Sequence, residues 1–378
     1  MAVITAGARP FSASTHQARL RHAAAQAVAR GLDALLITPS PDYLYLLGYS
    51  APALERLTCL LIPAHGTPSL VLPNLERPLA ASELGALADH LEFLIWGETD
   101  DPFRLVKAAL GDARRVGVQD QMWARFVLRL AAILDPVELV EAGPAISALR
   151  RVKEPVEVER LRAAAAAADR AMAAITAERL SGRTEAEVSA RISELLREAG
   201  HQTADFAIVG SGANSASPHH SPGERVIGVG DAVVLDIGGT RDGYASDTTR
   251  TAFVGEPPPE FREMYAVLQG AQNAAVAAVA PGIAAREVDR AAREVIEAAG
   301  YGEFFIHRTG HGIGLEVHEE PYIVASNAEH LEVGNAFSVE PGIYLPGRWG
   351  ARIEDIVVCG EAGPDRLNLS STDLFLVD

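Results

Sequence analysis

The sequence predicts an α/β N-terminal domain over residues 1–150 and, over residues 151–378, a second domain of helices and strands organised as an internal pseudo-two-fold repeat. A chain of 378 residues exceeds what one hydrophobic core usually supports. The first part alternates short extended runs with amphipathic stretches, and the second part repeats a pattern a hundred positions apart.

In the N-terminal part, THQARLRHAAAQAVARGL spaces its apolar residues for a helix and DALLITP reads as a buried strand. LTCLLIPAHGTPSLVLP reads as two strands around a Gly-containing turn. EFLIWG, RVGVQD and VELVEA are further strands, with helical stretches such as MWARFVLRLAAIL between them. A charged segment, LRRVKEPVEVERLR, then leads into AAAAAADRAMAAI, whose flanking arginines and Asp169 mark it as a packed soluble helix.

The repeat pairs SGRTEAEVSARISELLREAG, ending at Gly200, with PGIAAREVDRAAREVIEAAG, ending at Gly300. Thr184 and Glu187 form a capping-box pattern, and both helices should stop at their glycines in a left-handed C-cap. Two copies are too few for a solenoid. They are expected to fold around a shared site to which each contributes.

Composition narrows the chemistry. The formal charge of −17 opposes nucleic acid and anionic lipid as partners. No basic n-region with an apolar h-region opens the chain and no long apolar run occurs, so a cytoplasmic location is expected. Cys59 and Cys359 lack metal-finger spacing, which suits a reducing compartment and buried apolar thiols.

Candidate site residues cluster in the repeat. In VVLDIGGTRDGYASDTTRT, an alternating run carries Asp236 and an RDG turn should return the chain with Asp247 facing it. An acidic pair flanking a turn is the plainer alternative, and DIGGT lacks the lysine motif of a phosphate loop. AFSVEPGIY places Glu340 at the end of an apolar strand, and RIEDIVV embeds Glu354 inside another. A buried carboxylate must be paired, protonated or bound to metal. If these four acids converge with His311, mutual repulsion raises their pKa values unless divalent cations cancel the charge. Carboxylates with one imidazole suit Mn²⁺ first, then Co²⁺, Zn²⁺ or Fe²⁺.

These residues, in this order and spacing, resemble the dinuclear ligand set of the pita-bread metallopeptidases: methionine aminopeptidase, aminopeptidase P and prolidase. The resemblance spans about residues 153–378, and the preceding part resembles the creatinase-type N-terminal domain of the proline-directed branch. It implies an α+β pita-bread catalytic domain and two divalent metal ions on Asp236, Asp247, His311, Glu340 and Glu354. Asp247 and Glu354 are implied to bridge the ions, and Glu340 to act as general base. His219, in SPHHSPG, and His318, in EVHEEP, match catalytic histidines, with His220 a bystander. His307, Arg352 and Tyr344 match positions near the substrate.

The resemblance implies metal-assisted amide hydrolysis. An Xaa-Pro bond has no amide hydrogen for a protease to hold, and a site working through metal and histidine donors needs none. A dipeptide also carries a carboxylate beside the scissile bond, for which Arg56 is the candidate cation. The expected function is therefore Xaa-Pro dipeptidase, with aminopeptidase P as the alternative. A metal-free creatinase-like hydrolase and a non-enzymatic scaffold are more remote, because every ligand position is filled. A homodimer through the N-terminal domain is expected.

Overall fold

In a computed structural model, residues 11–378 are described, and they form two compact units that divide between Arg150 and Arg151. The first unit runs α1 (Ala13–Ala29), β1 (Ala34–Ile37), α2 (Pro41–Leu47), β2 (Cys59–Pro63), β3 (Ser69–Pro73), α3 (Arg77–Leu84), β4 (Glu92–Trp96), α4 (Pro102–Leu110), β5 (Arg115–Val118), α5 (Ala124–Leu134), β6 (Glu138–Glu141) and α6 (Gly143–Arg150). Ser12 caps α1 by accepting the Thr15 amide at 3.2 Å, supplying one of the acceptors a helix start lacks.

The six strands form one mixed sheet in the order β4-β3-β2-β1-β5-β6. The β1–β5, β5–β6 and β3–β4 pairs are parallel, as connections through helices allow. The strands β2 and β3 instead pair antiparallel across their short turn, in the register Cys59↔Val71. Every residue of β1 is buried, because the sheet is covered on both faces. Leu36, Leu61, Val71 and Val116 pack with Phe103, Phe126 and Leu130 of α4 and α5. The helix α6, spelled GPAISALR, carries no signal strong enough to have been read from sequence.

The second unit runs α7 (Pro155–Ala177), α8 (Glu185–Glu198), β7 (Thr203–Ser211), β8 (Ala232–Arg241), β9 (Tyr244–Val254), α9 (Pro259–Ala278), α10 (Ala285–Ala298), β10 (Gly310–Gly312), β11 (Glu319–Ile323), β12 (Ala336–Val339), β13 (Gly342–Leu345), β14 (Trp349–Arg352), β15 (Asp355–Gly360), β16 (Gly363–Arg366) and β17 (Phe375–Val377). Its two halves follow the sequence repeat. In the first, α7 and α8 cover a sheet of order β17-β9-β8-β7, with Met172, Ile192 and Leu196 against Val233, Leu235 and Ile237. In the second, α9 and α10 cover a sheet of order β11-β10-β12-β15-β16, with Phe261, Leu268 and Val288 against Phe337, Val339 and Val357.

The predicted capping box forms at Thr184 and Glu187, and α8 and α10 are followed by Gly200 and Gly300 with φ of 104° and 84°. The alanine-rich α7 packs Ala164, Ala165, Ala167, Ala168 and Ala171 in the interior. Among the described residues no helix is long and apolar enough to cross a membrane. Both cysteines are buried, and burial pushes the Cys59 thiol up to about 12.

One sequence expectation is corrected in this unit. Glu354 does not lie inside a strand: it sits in the break between β14 and β15, where its amide donates to the Thr249 carbonyl at 3.1 Å and bridges to the other half's sheet. Residues Gly212–Ala216 form a 3₁₀ turn whose Ser215 hydroxyl accepts the Gly350 amide, so this segment buttresses β14 and does not line the cavity.

Candidate metal centre

The hairpin β8–β9 supplies two carboxylates to one face. Asp247 lies opposite Gly238 and Asp236 opposite Thr249, so the two acids are diagonal neighbours and not directly facing as expected. A diagonal pair on an antiparallel ladder still shares a face, which preserves the convergence.

The other half supplies the rest. His311 stands at the centre of β10 between Gly310 and Gly312, and this strand threads between β11 and β12. A Cβ at Gly310 would lie 1.8 Å from the Ser338 carbonyl oxygen, and one at Gly312 would lie 2.3 Å from that of Glu320. Only glycine permits such an approach. His311 Nδ1 donates to the Gly312 carbonyl at 3.1 Å, which leaves Nε2 as the electron-pair donor. That atom lies 3.3 Å from Glu340 Oε1 and 3.6 Å from Asp247 Oδ2. Glu340 follows β12, its amide held by the Thr309 carbonyl and its carboxylate by the Ser338 hydroxyl at 3.2 Å. Glu354 Oε2 accepts the Thr249 hydroxyl at 2.7 Å.

Electrostatically the cluster is incomplete as protein alone. Burial, then repulsion from Glu354, Asp236 and Glu340, raises the Asp247 carboxyl well above its ordinary range. Burial and the charges of Glu340 and Asp236 do the same to Glu354. Burial, opposed by Arg352, pushes Glu340 up to about 7. Burial pulls His311 down to about 3, so its imidazole is neutral and available as a ligand. One ligating atom each from Asp247, His311 and Glu354 falls within 4.8 Å of the others. Asp236 Oδ1 is buried without any hydrogen-bond partner, while Oδ2 accepts Arg352 Nη2 at 2.6 Å. A buried carboxylate oxygen left empty among other acids fits a divalent cation and little else.

The cluster forms the floor of a cavity of about 810 Å³. Phe206, Ile208 and Val317 give it apolar wall, and His219, His307, Arg308, His318 and Arg352 give it polar wall. The His318 ring packs against that of His311, with centroids 3.9 Å apart and planes tilted by 46°. Behind the wall runs a chain of hydrogen bonds. His307 Nδ1 donates to the Arg308 carbonyl at 2.7 Å, so its Nε2 accepts the Tyr344 hydroxyl at 2.9 Å. Tyr344 in turn accepts Arg352 Nη1 at 2.9 Å, and Arg352 Nε donates to Thr249 at 3.1 Å. Burial, with Arg352 adding to it, lowers His307 to about 4, and burial raises Tyr344 to about 12. Arg56 lies in the N-terminal unit, where it pairs with Glu98 and Glu55 at 3.0 Å each, and it is not among the residues lining this cavity.

Sequence reasoning missed the groups that hold the histidine-bearing loops. Glu185, fully buried in the first turn of α8, accepts the Ser211 amide and hydroxyl, Asn214 Nδ2, the Gly223 amide and His220 Nε2 at 2.7 Å. Against the push of burial, its bonds with Ser211 and His220 hold its carboxyl below the ordinary range. His220 therefore anchors the turn that presents His219. An acid in a helix's first turn is too common a feature to have signalled this. In the other half, buried Asp289 of α10 accepts the Thr309 amide and hydroxyl and pairs with Arg293 at 3.0 Å. Arg293 donates onward to the carbonyls of Phe305 and His307. A charged residue interrupting the apolar stripe of Val288 and Ala292 was the available signal. Glu185→Ala would strand these donors, and unfolding in urea is expected to show a loss of about 3 kcal/mol, with Glu185→Gln recovering part of it.

An α/β unit followed by a pseudo-symmetric unit that encloses four carboxylates and an imidazole defines a pita-bread metallopeptidase. The chain belongs to Metallopeptidase family M24, whose profile matches residues 159–361, and the Creatinase/Prolidase N-terminal domain profile matches residues 19–152. It is 48% identical over 377 residues to the probable dipeptidase PepE of Mycobacterium tuberculosis, covering 98% of this chain and 99% of that one. Among solved structures, dipeptidase PepE from Mycobacterium ulcerans matches with a TM-score of 0.92 at 49% identity, covering 98% of this chain and 100% of the other. Prolidase from Thermococcus sibiricus matches with a TM-score of 0.89 at 35% identity, covering 96% and 99%. The enzyme is a metallopeptidase of dipeptidase and prolidase kinship, and membership of the family implies divalent metal ions.

Proposed function

We propose that the protein hydrolyses the Xaa-Pro bond of dipeptides, with two divalent ions held by Asp236, Asp247, His311, Glu340 and Glu354. The observation that carries this reading is the buried acid cluster, in which Asp236 Oδ1 is buried without a hydrogen-bond partner. When bound, the ions supply charge neutralisation and Lewis acidity toward water and the peptide carbonyl.

Within that frame the protein's own groups have distinct tasks. Glu340, whose Oε1 lies 3.3 Å from His311 Nε2 on the cavity floor, is placed to take a proton from the attacking water and return it to the leaving nitrogen. His318 and His219 face the cavity as donors for the oxygen that gains charge as the carbonyl is attacked. His307 and Arg352 line the wall against which substrate rests, Arg352 also fixing Asp236, while Tyr344, which is not among the lining residues, braces both from behind. None of these groups needs a hydrogen on the scissile nitrogen, so a prolyl amide costs the site no contact. Phe206, Ile208 and Val317 suit apolar side chains beside the bond.

The relatives named dipeptidase and prolidase support the dipeptide reading over release of residues from longer Xaa-Pro peptides. Mn²⁺ is the proposed ion, on the grounds of the oxygen-rich donor set. A homodimer through the N-terminal unit is proposed, and the exposed Leu128 and Trp123 of that unit support it. The two buried thiols suit the cytoplasm. Arg56 remains the N-terminal candidate for contacting substrate, although reaching it would mean giving up its exposed pairs with Glu98 and Glu55, which cost little to break. Purified protein should cleave Ala-Pro faster than Ala-Pro-Xaa tripeptides, lose that activity on exhaustive chelation and regain it with Mn²⁺. Activity that survives complete metal removal would instead favour a creatinase-like hydrolase.

A further inference from the structure

We propose that Arg308 selects substrates whose free carboxylate lies one residue beyond the scissile bond, with Tyr322 as the platform that holds its guanidinium. The inference rests on the peptidase reading above and adds to it the group that recognises the substrate's anionic end.

Three cations compete for this role, and their partners separate them. Arg352 lines the cavity but spends its donors on Asp236, Tyr344 and Thr249. Arg56 is not among the residues lining the cavity. Arg308 lines the cavity, is half-buried, and has no carboxylate within ion-pair distance among the described residues. Its guanidinium lies over the Tyr322 ring at 4.4 Å from the centroid and brings Nη2 within 3.4 Å of His318 Nδ1. The aromatic face fixes the plane of the fork by cation–π contact. One long bond to His318 leaves the other N–H groups of the guanidinium unspent.

Position and charge agree with the assignment. The His318 ring packs at a tilt against that of His311, a member of the cluster, so a single imidazole links Arg308 to the cluster. The carboxylate of a dipeptide lies a single residue, about 3.8 Å between Cα atoms, past the carbonyl being attacked. A guanidinium engages a carboxylate through two parallel bonds, which an ammonium cannot reproduce.

The test compares acid with amide. Manganese-loaded wild type and the Arg308→Ala, Arg308→Lys and Arg56→Ala variants are assayed on Ala-Pro, Ala-Pro amide, Ala-Leu and Ala-Leu amide, with thermal melts as the folding control. The acid-to-amide ratio of kcat/KM is expected to fall about 10- to 100-fold in Arg308→Ala, as loss of a charge-assisted pair predicts, and to fall less in Arg308→Lys. A mere role in orienting His318 would depress acid and amide alike and leave the ratio unchanged, which would overturn the proposal. Collapse of the ratio in Arg56→Ala with none in Arg308→Ala would overturn it too, as would a wild type indifferent to the carboxylate. If wild type cuts Ala-Leu but not Ala-Pro, the proline reading fails while the Ala-Leu ratio still judges Arg308.

Discussion

Glu340→Gln is expected to lower kcat on Ala-Pro by about 10²- to 10⁴-fold, the range a positioned acid–base group contributes. The substitution is nearly isosteric and keeps the backbone bond to Thr309 as well as contact with Ser338, so the fold should not change. What disappears is the ability to hold a proton between water and leaving nitrogen. The amide is also a weaker ligand than the carboxylate, so elemental analysis after dialysis should accompany the kinetics. A variant with full metal content and turnover within a few-fold of wild type would remove Glu340 from the base role.

The second large effect concerns stability without metal. The folded-state pKa values of Asp247, Glu340 and Glu354 are raised, so over the range between their unfolded and folded values the folded chain holds protons that the unfolded chain has released. Stability from these groups is therefore greatest at low pH and is lost as pH rises through the folded values. His307 and His311 act in the opposite sense, because their folded values are depressed: their contribution is present above about pH 6.5 and lost as pH falls toward 4 and 3. The two sets offset one another in acid. Above about pH 7.5 the histidines are largely neutral in both states and the raised carboxylates dominate. Chelated protein should accordingly become less stable between about pH 7.5 and 8.5, by up to roughly 1.4 kcal/mol per pH unit for each proton the folded carboxylates still hold. Added Mn²⁺ should abolish the decline, since it binds the folded chain alone. Urea titrations with and without chelator measure this, and a chelated protein that grows more stable across the interval would contradict it.

The ligand residues were legible because each lies in a local pattern that survives being read alone: an alternating strand before Asp236, glycines around His311, an apolar run before Glu340. Local grammar also gave the capping box of α8 and its glycine stop. What escaped depends on partners far away in the chain. Glu354 read as a strand residue because RIEDIVV is apolar on both sides, whereas the strand is interrupted there by pairing with Thr249. Glu185 and Asp289 look like ordinary helix acids until the loops they hold are folded against them. Arg250 shows the same limit: fully buried, it donates to the Glu354 carbonyl at 2.7 Å and pairs with Asp355 at 2.7 Å, and nothing in DTTRT announces it.

The crowding around Gly310 and Gly312 has an evolutionary corollary. Those contacts are between backbones, and the braces at Glu185 and Asp289 are likewise independent of the acids in the floor. The vessel is thus moulded by the chain itself and not by what it holds. A descendant that shed its carboxylates one by one would forfeit peptide cleavage yet inherit an intact hollow, ready to be recruited for chemistry or recognition of another kind.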